Sequence, residues 1–79
     1  MDKITDTTYR VAEMLQVGDV IPTTHGDNWG KFEVEEVTWN AWRDGDIIVV
    51  LSGYQIVNAG CCGPEEMSFR AGVRVEVAA

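Results

Sequence analysis

The chain is poor in basic residues, cysteine and long apolar runs, and each shortage excludes something. Lys and Arg number 6 against 13 Asp and Glu, a net charge of −7 over 79 residues. Nucleic-acid binding relies on Lys and Arg displacing counterions from phosphates. The basic residues here, Lys3, Arg10, Lys31, Arg43, Arg70 and Arg74, are scattered and form no stripe. Direct nucleic-acid binding is therefore not expected. The two cysteines, Cys61 and Cys62, are adjacent. A bond between neighbours would strain the intervening peptide, so the disulfide-scaffold class is excluded and both thiols are expected to be reduced. The longest apolar run, Ile47 to Leu51, falls far short of the ~20 residues of a membrane helix. The N-terminal "MDKITDTTYR" has no apolar segment of the secretory kind. No membrane partner and a cytoplasmic location are the resulting expectations.

What is present is a small globular chain. Hydrophobic residues make up 46% of it, too many for disorder. Residues 1–7 are polar and read as a mobile segment, and residues 8–79 as one small domain. "TTYRVAEMLQVGDVI" allows two readings. One is a helix capped by Thr7 or Thr8. The other is a brief strand at Tyr9 to Val11 followed by one helical turn at Ala12 to Leu15. Pro22 lacks a ladder donor and should end a strand or mark an edge. Residues 23–30, "TTHGDNWG", and residues 58–65, "NAGCCGPE", read as loops rich in turn formers.

"FEVEEVTWNAWRDGDIIVVLSGY", residues 32–54, reads as two strands around an Asp44-Gly45 turn. Its apolar residues change phase at Glu35-Glu36. A β-bulge there restores one apolar face. Phe32, Val34, Val37 and Trp39 then point inward, and Thr38, Asn40 and Trp42 outward. From Met67 to Val77 the apolar residues again alternate, with a tight turn or 3₁₀ step near "RAGV". The pattern predicts an all-β fold, a small barrel of five or six short strands with at most one short helix or 3₁₀ turn.

The "VGDVI" opening strand, the long first loop, the bent central hairpin and the closing "FRAGVRVEV" step together resemble an SH3-like barrel over residues 9–78. The acidity and the lack of catalytic motifs are also similar to the small orphan proteins of actinobacterial phages. That second likeness implies a host or phage protein as partner, in the host cytoplasm. The "ALYDY"-type segment of true SH3 domains is absent, so proline-rich peptide binding is not implied for any residue.

Candidate chemistry is sparse. His25, Cys61 and Cys62 lack the paired spacing of zinc ligands. Cys61 with His25 as base is the one conceivable catalytic pair, and Glu65 and Glu66 beside the thiol would raise its pKa. The other carboxylates fall in turns or opposite apolar positions and read as a solvated face. No cofactor and no catalytic residue are expected. Aromatics carry the stronger signal, because exposed ones are enriched at binding hot spots. The expected partner-binding set is Trp29, Trp42 and Tyr54 with the acidic rim Asp27 and Asp44. Trp29 reads equally as a lid on the core, and Tyr54 could close one end of it. Three functions stay open: a non-enzymatic module binding a protein partner, a small enzyme or metal protein using His25 and the Cys61-Cys62 loop, and an acidic inhibitor mimicking nucleic acid. Weak homodimerisation through the final strand, with Arg74 and Glu76 pairing across a two-fold axis, is a further expectation.

Overall fold

The structure, a computed structural model, describes residues 3–41, 45–60 and 62–79. The alternating segments form β1 (Thr7–Val11), β2 (Val20–His25), β3 (Asn28–Ala41), β4 (Ile47–Val57), β5 (Cys62–Arg70) and β6 (Arg74–Ala78), with one 3₁₀ turn at Ala12–Met14. The all-β class is as expected. The ladders make two antiparallel sheets, a four-stranded sheet in the order β2-β3-β4-β5 and a two-stranded ribbon, β1-β6. They do not close into a ring: β6 runs beside β2, but no ladder joins the two among the described residues.

The chain's two prolines sit on the two edges of the larger sheet. The Val34 N–H donates to the Asp19 carbonyl (3.0 Å). In the same register Ile21, Thr23 and His25 bond to β3, and Val20, Pro22 and Thr24 point their backbone groups toward β6. The middle one of these has no N–H to give. At the other edge the Ala71 N–H donates to the Ile47 carbonyl (2.9 Å). This alternation turns the backbone groups of Cys62, Pro64, Glu66, Ser68 and Arg70 outward. Pro64 is thus tolerated where its missing donor costs β4 nothing.

One open alternative is decided and two local expectations are corrected. The segment before Gly18 is the strand-then-turn alternative, not a capped helix, because β1 finds a ladder partner in β6. Residues 23–30 are not a long loop. β2 runs through His25 to a tight turn at Gly26-Asp27, and β3 opens at Asn28. Residues 58–65 are likewise not one long loop, since β4 runs to Val57 and β5 begins at Cys62. Gly63 and Pro64 read as breakers yet are accommodated in an edge strand.

The core lies between the ribbon and the near half of the sheet. It comprises Ala12, Leu15, Ile21, Phe32, Val34, Val49, Leu51, Val75 and Val77, with Val37, Met67 and Phe69 packed partly against it. The bulge is where the phase change predicts it: Val34 pairs with Gly53 and Glu36 with Ser52, leaving Glu35 unopposed. A side chain at position 53 would run into the Glu33 carbonyl and stand 2.8 Å from Phe32 Cζ. Glycine is what lets the bulged strand approach so closely. The final strand contributes as expected, with Val75 and Val77 both buried.

Candidate functional site

Trp39 is not a core residue. It shares the inward face with Phe32 and Val34 and pairs with buried Val49, yet it is 50% exposed. The facing assignment was right and the burial was not. β3 has 14 residues, whereas the ribbon strands have 5 each. The β3–β4 hairpin therefore continues as an arm past the ribbon that covers the core.

The register defines the arm's apolar face. Trp39, Val49 and Phe69 form one cross-strand row, and Val37, Leu51 and Met67 form the next toward the core. Ala41 and Ile47 face each other farther out, with Ile47 45% exposed. Carboxylates border the face: Asp46 precedes Ile47, and Glu35 and Glu36 stand at the bulge, all exposed. Cross-strand apolar pairs stabilise a sheet when covered. Here Trp39 and Ile47, on the same face, are each about half exposed.

The expected partner-binding set does not come together as one patch. Trp29 and Asp27 do meet, at the opposite end of the sheet. They line a cleft of about 300 Å³ with Lys3, Ile4, Pro22 and Glu76. Trp29 is half-buried there. Tyr54 stands on the outer face of β4, opposite Glu33 and Pro64, exposed and turned away from the core. It does not close one end of the core. Trp42 and Asp44 lie outside the described residues. Trp39 and Ile47 are the exposed inward-facing residues that the sequence pattern does not single out. The signal that could have found them is length: strand-forming residues before Pro22 and after Gly72 are too few to cover so long a hairpin.

Polar chemistry concentrates near the Trp29 end. Gln55, buried on the inward face, donates from Nε2 to Thr23 Oγ1 (2.8 Å), the Lys31 carbonyl (3.0 Å) and the Ile56 carbonyl (3.2 Å). Gly30 leaves the room for this amide, because a Cβ there would sit 2.9 Å from its nitrogen. Thr23 Oγ1 also meets His25 Nε2 at 3.0 Å. His25 and the exposed free thiol residue Cys62 border one shallow hollow of about 270 Å³ with Gln55 and Glu65. Cys61 lies outside the described residues. Among the described residues no three His, Cys, Asp or Glu side chains stand together as metal ligands. Among the described residues, the Glu13 carboxyl has a clearly lowered pKa. Its own backbone N–H and that of Gly72 hold it below the usual range, the Gly72 N–H at 2.7 Å. That bond ties the 3₁₀ turn to the β5–β6 turn and is structural.

Compared with known protein families, curated proteins and solved structures, the chain matches none. Among the described residues no helix is long and apolar enough to cross a membrane.

Proposed function

We propose that the protein is a non-enzymatic interaction module that docks the apolar face of its hairpin arm onto a protein partner. The observation that carries this reading is Trp39, half exposed on the inward face of a strand that outruns its cover. A buried tryptophan at an interface centre is a frequent hot spot. The carboxylates Glu35, Glu36 and Asp46 and the net charge of −7 define the partner's chemistry. It presents an apolar recess bordered by Lys and Arg.

The test begins with a partner isolated by crosslinking from position 39 and then purified. In a two-component titration Trp39→Ala should weaken binding at least about tenfold, which is the loss of one modest hot spot. Tyr54→Ala, on the other face, should leave it unchanged. Raising salt should weaken binding only mildly, because the contact is centred on an aromatic. A steep loss with salt would favour mimicry of nucleic acid. Equal binding by Trp39→Ala and the parent would overturn the reading.

A further inference from the structure

The outer edge of β5 carries a self-complementary pattern. The backbone groups of Glu66, Ser68 and Arg70 point out of the sheet, and no strand pairs with them among the described residues. Pro64 limits this edge at one end and the turn after Arg70 limits it at the other. The outer-face side chains are acidic, small and basic in order: Glu66, Ser68, Arg70. Each is exposed, and neither Glu66 nor Arg70 has an ion-pair partner among the described residues. Between them Met67 and Phe69 face inward, only partly buried against the core. The final strand, by contrast, is flanked by β1 on one side and β2 on the other. The expected dimer edge at Arg74 and Glu76 therefore has β2 lying beside it, and β5 is the edge of the larger sheet without such a neighbour among the described residues.

We propose that β5 pairs antiparallel with β5 of a second copy about a two-fold axis through Ser68. In this register Ser68 faces its own copy, Glu66 faces the partner's Arg70, and Arg70 faces the partner's Glu66. Each outward N–H then meets a carbonyl, and opposite charges stand directly across the ladder on both sides of the axis. Met67 falls opposite the partner's Phe69. The Trp39–Val49–Phe69 row thereby continues into the partner's Met67–Leu51–Val37 row, and the half-covered side chains bury one another. Registers with the axis at Glu66, Met67 or Arg70 fail. An axis through Glu66 or Arg70 sets like charges opposite, which is destabilising. An axis through Met67 draws Pro64, with no N–H, into the ladder. The interface is isologous, as a two-fold requires, and it leaves Trp39 at the far side of the arm. It does not depend on the proposed partner contact.

Sedimentation equilibrium from micromolar to millimolar protein tests the pairing, with amide exchange at Glu66, Ser68 and Arg70 followed in parallel. The mass should rise from monomer toward dimer, and these amides should gain protection as it does. Glu66→Arg or Arg70→Glu alone places like charges at both symmetric pairs and should weaken association about tenfold or more. Mixing the two variants should restore it as a heterodimer, because each like-charged edge then meets its opposite. The double variant Glu66→Arg, Arg70→Glu should dimerise like the parent. A parent that stays monomeric throughout overturns the proposal. So do single variants that associate as tightly as the parent, or a mixture that fails to recover.

Discussion

Phe32 and Trp39 stand on one face of one strand, yet the first is fully buried and the second half exposed. Both alternate with polar neighbours, and both have a buried or inward residue opposite them on β4. The difference lies in the other sheet. Ala12, Leu15, Val75 and Val77 cover the near half of the hairpin, whereas toward its far end Trp39 and Ile47 stand half exposed among the described residues. Alternation decides which way a side chain points; whether anything meets it there depends on a layer supplied by residues far away in sequence.

The largest expected effect breaks the covered half. Phe32→Ala should cost about 3–5 kcal/mol, typical of a buried aromatic, and that would consume much of the stability of a domain this size. Trp39→Ala should cost roughly 1–2 kcal/mol, since half of its surface is already in water. Urea midpoints of the two variants decide the matter. If Trp39→Ala proves as damaging as Phe32→Ala, the arm is covered and the comparison fails.

A smaller effect tests the bulge that puts the two residues on one face. Gly53→Ala should cost about 1–3 kcal/mol, because the added methyl meets backbone at Glu33 and the Phe32 ring in a close-packed site. The half-buried Gly63, where a Cβ would meet nothing within 4 Å, should accept alanine with a change below about 0.5 kcal/mol. A tolerant Gly53 would mean that the bulge relaxes easily and does not fix the register.

Much of this was legible beforehand. The phase change at Glu35-Glu36 located the bulge, and the alternation from Met67 to Val77 located the closing strands. The exposure of Trp39 is not legible, because parity fixes facing and carries no information about the length of the opposing layer. The extent of β2, β3 and β5 into residues 23–30 and 58–65 is not legible either, because Gly, Pro and Asn there carry the signal of breakers. At sheet edges they cost little. The β5 edge was missed for a related reason. Which backbone groups point outward depends on pairing register, and the side-chain pattern alone does not fix it.

The smallest effect concerns what holds the cover in place. The Glu13 carboxylate accepts the Gly72 N–H and so fastens the 3₁₀ turn to the mouth of the ribbon. Its pKa in the folded protein is lowered, chiefly by its own backbone N–H and then by that of Gly72. A carboxylate whose folded pKa lies below its unfolded one contributes stability above the unfolded pKa, about 4.3 for glutamate. That contribution is lost as pH falls through the folded value. Glu13→Gln should therefore lower stability slightly at neutral pH, and the gap to the parent should close as the solution is acidified below the ordinary carboxylate range. The side chain is exposed, so the effect is small, and amide exchange at Gly72 reads it more directly than a denaturation midpoint. Exchange there should quicken in the variant at neutral pH, while Phe32 and Val34 in the covered half keep the parent's rates. If the Gly72 amide exchanges identically in both proteins, the carboxylate does not hold the turn, and the cover over the near half rests on its apolar contacts alone.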